Sequence, residues 1–135
     1  MINEVKLKNM HAIRFDQLKY ECYSWERILT FYTLENIHQK NRLSEILKKK
    51  ISADFLIEIE EYHSKFIRND EFIYSFKHDL GILVRNINLA EENNLEMNAI
   101  IDYQITDIRI HIAVFVQEFN SIQQQFNKCL YDYIC

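Results

Sequence analysis

Apolar residues recur along this chain at alternating steps of four and three. One series runs Phe15, Leu18, Cys22, Trp25, Leu29, Tyr32, Asn36, Gln39, Leu43 and Ile46. A second runs Phe55, Ile59, Tyr62, Phe66, Asn69, Ile73, Phe76, Leu80, Leu83 and Ile87, and a third Ile101, Ile105, Ile108, Ile112, Phe115, Phe119, Ile122, Phe126, Cys129 and Tyr133. A 3.5-residue apolar repeat held over four heptads predicts long helices packed along left-handed seams. The 30 positions hold three polar residues and no charged one, although 27% of the chain is charged.

Punctuation between the series supports three separate helices. Ser52 is a good N-cap, and Ile51 with Leu56 has the spacing of a hydrophobic staple. Asn93 with Glu96 has capping-box spacing, and Asn93-Asn94 interrupts the third pattern. Helices are expected over about 10–48, 53–89 and 94–133, each about 55 Å long at ~1.5 Å per residue. Short connections make neighbours antiparallel. The predicted fold is therefore all-α: one domain over residues 1–135, an antiparallel up-down-up bundle of three long helices with coiled-coil-like heptad packing. The first nine residues carry no assignable pattern.

More apolar residues are present than three seams require. Ile28, Phe31, Leu34 and Ile37 lie off the first seam, so Ile28–Ile37 is apolar nearly all round. Ile57, Ile67, Tyr74, Ile82 and Leu89 lie off the second, and Ile100, Tyr103, Ile110 and Val114 off the third. Helices apolar on most faces are expected to be buried on most faces. Three helices alone do not cover these positions, whereas a homodimer or another protein partner does. Trp25, Phe31, Leu34, Ile37, Ile67 and Tyr74 are the expected contact residues. Scattered surface aromatics with no role are the plain alternative.

Composition narrows the field further. The 135 residues contain one glycine and no proline, too little turn chemistry for a sandwich, barrel or alternating βα fold. With 48% hydrophobic residues the chain can form a core. A net charge of −4 gives no reason to expect nucleic acid as partner. No apolar run approaches the ~20 residues of a membrane span, and no signal-peptide pattern opens the chain. Three cysteines without a CxxC indicate neither a disulfide framework nor a zinc site, so a reducing cytoplasm is expected. Charge is uneven: residues 1–50 carry ten Lys/Arg against six Asp/Glu, and residues 91–135 two against seven. The basic first segment should pack on the acidic ones, and Lys48-Lys49-Lys50 reads as a helix end favoured by the dipole.

Candidate chemistry is sparse. Glu35-x-x-His38 and Glu60-x-x-His63 have the spacing used by di-iron carboxylate bundles, and a hairpin turning near residue 50 sets His38 level with His63. A metal-binding bundle on Glu35, His38, Glu60 and His63 is therefore the alternative function. Against it, no carboxylate occupies an inward seam position. Glycine-rich phosphate loops and GxSxG are absent from the sequence. No cofactor is expected, and catalysis has no candidate residue. The polar seam residues Asn36, Gln39 and Asn69 read as buried amides that fix register, with a small-ligand pocket as the sharper alternative.

Four short segments, Trp25-x-x-x-Leu29-x-Phe31-Tyr32, Asn41-Arg42-Leu43-x-Glu45-Ile46, Phe66-Ile67-Arg68 and Lys77-His78-Asp79, together resemble a group of small all-helical bacterial proteins. The resemblance spans roughly residues 15–90. It implies an all-helical fold and, because that group has no assigned activity, transfers no site. The expected function is a non-catalytic helical bundle acting through self-association or protein–protein interaction.

Overall fold

A computed structural model of the chain describes residues 3–90 and 94–134, and within these every regular element is a helix. The helices are α1, Glu4–Leu47; α2, Ala53–Leu89; and α3, Leu95–Ile134. Cap chemistry, more than packing, sets where they begin. The Asn3 side chain accepts the Lys6 amide at 2.8 Å, so α1 starts well before the apolar repeat does. Ser52 Oγ accepts the Phe55 amide at 3.2 Å, with Asp54 placed beside the positive end of the α2 dipole. Asn94 caps α3 by accepting the Met97 amide at 3.0 Å; Asn93, the cap expected from spacing, lies outside the described residues.

Side chains from all three helices fill one interior. α2 packs against both α1 and α3. The Cys22–Trp25–Leu29 stretch of α1 meets Leu80, Leu83 and Ile87 of α2 and Ile101, Ile105 and Ile108 of α3. Two further clusters continue the core, one around Tyr32, Ile73, Phe115 and Phe119, the other around Leu43, Ile59, Phe66 and Phe126. Near the end of α3 the pattern drifts. Leu130, off the seam, is buried, while seam residue Tyr133 is 45% exposed and stacks on Phe55 at 3.6 Å. A straight helix turns ~20° per heptad away from a 3.5-residue repeat, and four heptads suffice to exchange the two positions.

Hydrogen bonds record the relative directions of the helices. Those joining α1 to α3 link residues 84 to 88 apart, a near-constant offset that only parallel helices produce. The rungs recur every seven residues along one flank of α1. Arg14 pairs with Asp102, Glu21 with Arg109, Glu35 with Gln123, and Arg42 with Asn127. At the intervening position Ile28 and Val116 pack on the same core. The strongest rung is the fork of Arg109 on Glu21, with contacts of 2.8, 2.9 and 3.1 Å. Among the described interhelical ion pairs, Arg14–Asp102 and Lys40–Asp70 set α1 cations on α3 and α2 carboxylates, as the charge distribution leads one to expect, while Glu21–Arg109 runs the other way.

The chain exposes 9507 Å², against about 7,500 Å² for a typical compact monomer of 16.4 kDa. Helices of 37 to 44 residues laid side by side make a long molecule with a high surface-to-volume ratio. Gly81 sits on the exposed face of α2, where an added Cβ would meet nothing within 4 Å among the described residues. Gly81→Ala should therefore stabilise the fold by about 0.5–1 kcal/mol through the unfolded chain. Thermal unfolding followed by circular dichroism should show Tm raised by about 2–6 °C.

Candidate functional site

Two features depart from a plain apolar bundle: a polar cluster inside it and an apolar face outside it. Inside, Asn36 lies on α1 between Tyr32 and Gln39, and it is completely buried. Its Nδ2 donates to the Phe66 carbonyl at 2.9 Å and to Asp70 Oδ1 at 2.6 Å. Asn69 Nδ2 donates to Asn36 Oδ1 at 3.3 Å, and Lys40 Nζ closes the cluster on Asp70 Oδ2 at 2.6 Å. Gln39, also buried, accepts Arg42 Nη1 at 3.1 Å, and Arg42 continues to Asn127 on α3. Among the described residues every buried side-chain nitrogen or oxygen has a partner. With its buried polar atoms paired inside the bundle, the cluster reads as a register lock between α1 and α2.

Outside, Phe31 and Leu34 are 55% and 62% exposed, Ile37 is 44% exposed, and the three follow one another at helical steps of three. Ile67 and Tyr74 are exposed seven residues apart on α2. Trp25 is a correction: expected among the contact residues, it is 7% exposed because its seam position turns the indole into the core between Cys22 and Leu29. Ile28 likewise packs inward, against the α1–α3 contact. Sequence reasoning passed over Met10, Ile13, Tyr20 and Tyr23, which are exposed on the same outer face of α1 as Phe31 and Leu34. Their signal was available: Met10, Ile13, Tyr20, Phe31 and Leu34 fall on a second set of three-and-four steps, rotated away from the seam.

The four residues of the metal alternative are not brought together. Glu35 turns toward α3, where its Oε2 accepts Gln123 Nε2 at 3.0 Å. Glu60 and His63 line a shallow cleft of about 320 Å³ with Lys40, Leu43, Ser44 and Leu47. His38 is exposed and does not line that cleft. The bonded pairs Asn36–Asn69 and Lys40–Asp70 set a register that places His38 opposite residues near 70, about one to two turns from His63. Side chains lean toward the N-terminus of their own helix, so contacting residues in a hairpin lie farther along than a count from the turn suggests. Among the described residues no group of three or more His, Cys, Asp or Glu side chains is placed to hold a metal ion.

Two larger hollows lie along the α2–α3 side. One of about 630 Å³ is walled by Asp54, Glu58, Tyr62, Lys65, Cys129 and Tyr133; the other, of about 610 Å³, by Phe72, Phe76, Asp107, His111, Phe115 and Glu118. Neither presents an activated nucleophile. Burial, and then the hydrogen bond to Glu58 at 3.4 Å, push the Cys129 thiol up to about 11. Burial, reinforced by Glu21 and Glu26, does the same to Cys22. His111 Nδ1 is satisfied locally, 2.7 Å from the Asp107 carbonyl. No helix, among the described residues, is long and apolar enough to cross a membrane.

Set against family models, curated proteins and solved structures, the chain matches none of them. Its function is therefore read from its own surface and interior.

The register lock has a measurable cost of removal. Asn36→Ala strips partners from Asn69 and Asp70 and should destabilise the fold by about 2 kcal/mol in urea unfolding. The double variant Asn36→Leu/Asn69→Leu should recover most of that loss while weakening the uniqueness of the α1–α2 register, seen as broadened amide resonances. The thiols give a pH test. Both are held protonated by the fold, so their contribution to stability is present below pH 9 and is lost as pH rises toward about 11. In a Cys135→Ser background at pH 7, DTNB should leave Cys22 unmodified and label Cys129 slowly, with both reacting at once in denaturant.

Proposed function

We propose that the chain is an antiparallel up-down-up bundle of three long helices with coiled-coil-like heptad packing, acting without catalysis through self-association or binding to another protein in the cytoplasm. The observation that carries this reading is the exposed apolar row Phe31, Leu34 and Ile37 on the side of α1 away from the core, with Ile67 and Tyr74 exposed on α2. Constant offsets between α1 and α3, and the antiparallel pairing implied by Asn86–Gln104, Tyr62–Phe126 and Phe55–Tyr133 across α2 and α3, support the architecture. Isolated surface apolar residues are ordinary, whereas a row at helical spacing is the mark of a covered surface.

Light scattering after size exclusion, run at two protein concentrations with metal content measured on the same peak, tests the reading. A species of twice 16.4 kDa carrying less than about 0.1 metal per chain is expected. Phe31→Glu should return it to a monomer with little change in helical circular dichroism, because the side chain is exposed and contributes little to the core. A stable monomer that binds no protein would overturn the reading, and stoichiometric metal would replace it with the carboxylate–histidine alternative.

A further inference from the structure

The outer face of α1 is longer and more ordered than the three residues that first mark it. Met10, Ile13, Gln17, Tyr20, Ser24, Arg27, Phe31, Leu34 and His38 follow one another at steps of three and four, all but Ser24 exposed. This row repeats at the same interval as the inward seam but faces the opposite way. From Met10 to His38 it runs about 40 Å along the helix. α1 reaches α3 along one flank through Arg14, Glu21, Glu35 and Arg42, and α2 along the other through Lys40. Between those flanks the outer row is left for an occupant from outside the chain.

We infer that the occupant is the α1 of a second copy, packed antiparallel about a two-fold axis passing beside residue 22. The inference rests on the self-association reading and names its surface and direction. Reversing the row upon itself about that point sets Met10 opposite Leu34 of the second copy, Ile13 opposite Phe31, Gln17 opposite Arg27 and Tyr20 opposite Ser24. Apolar residues thus meet apolar residues at both ends, and polar ones meet at the middle. Asp16, exposed one residue before Gln17, comes within reach of Arg27 of the second copy, and the symmetry makes that ion pair twice. A parallel alignment does the reverse, setting Arg27 against Arg27 and Asp16 against Asp16. The area is also sufficient. Met10, Ile13, Tyr20, Tyr23, Phe31, Leu34 and Ile37 are 44% to 69% exposed. Together they offer on the order of 800 Å², the contribution of one partner to a stable interface.

The test compares solution mass and dimer dissociation constants for the wild-type chain and variants at exposed positions. Ile13→Glu and Leu34→Glu should each raise the dissociation constant a hundredfold or more without loss of helicity, and Leu34→Ser serves as a milder variant should the charge disturb folding. Tyr131→Glu, at an exposed position of α3, should leave the dimer intact. Arg27→Asp should raise the constant about tenfold by facing Asp16 of the partner, and Asp16→Arg/Arg27→Asp should restore it to within about threefold. A dimer that survives both Ile13→Glu and Leu34→Glu would overturn the α1 pairing while leaving self-association through another face. A dimer broken by them but not restored by the charge exchange would overturn the antiparallel register. A wild-type monomer at ~100 μM would remove both.

Discussion

The constraint on which the rest depends is the alignment of α1 with α3, two helices that are not neighbours in the chain. Short links tie α1 to α2 and α2 to α3, but nothing covalent fixes how far α3 slides along α1. The ladder of Arg14–Asp102, Glu21–Arg109 and Glu35–Gln123 fixes it, each rung separated from the next by a multiple of seven residues. Exposed ion pairs stabilise little individually. Their effect here is selective: a slip of one turn would set Glu21 and Arg109 against unrelated side chains and would shift Ile28 and Val116 from their places against the core. Apolar packing thus supplies the cohesion and the polar rungs choose one alignment among several of similar burial.

The α1–α2 contact is fixed differently, from inside. Asn36 and Asn69 replace two apolar seam residues; Asn69 donates to Asn36, and the Phe66 carbonyl and Asp70 accept from the Asn36 amide nitrogen. An aliphatic pair would pack as well at any register related by a heptad, whereas two amides and a carboxylate fit at one. Lys40 extends the cluster to the surface, so the buried side of Asp70 is balanced without a charge being sealed in the core. The two interfaces of α1 therefore carry different specifying devices, an outer ladder toward α3 and an inner amide pair toward α2.

Much of this was legible in the sequence, and the limits have physical causes. The all-helical fold follows from the repeat, and the described buried positions follow the seams until the last two turns of α3, where Leu130 turns in and Tyr133 turns out. That exchange was hidden because a straight helix departs gradually from a 3.5-residue count. His38 was set level with His63 because a count from the hairpin turn ignores the lean of side chains toward their own N-termini. Trp25 was taken for a contact residue although its spacing with Cys22 and Leu29 already placed it in the core. The ladder to α3 was also present, as Arg14, Glu21, Ile28, Glu35 and Arg42 at steps of seven, but a single flank means nothing until the opposing flank is known.

An apolar row on the outside of α1 would be a liability if it were featureless. A smooth stripe pairs with itself at any register and direction, and with unfolded chains, which is the route to aggregation. This row is not smooth. Gln17, Ser24 and Arg27 divide it into an end at Met10 and Ile13, a tyrosine pair at Tyr20 and Tyr23, and an end at Phe31, Leu34 and Ile37. Placing one acidic and one basic residue asymmetrically along it, at Asp16 and Arg27, penalises parallel self-pairing, where like charges would coincide, and favours the reversed alignment, where they alternate. The same logic that orders the interior, apolar residues for cohesion and a few polar ones for direction, thus extends to the surface of the first helix.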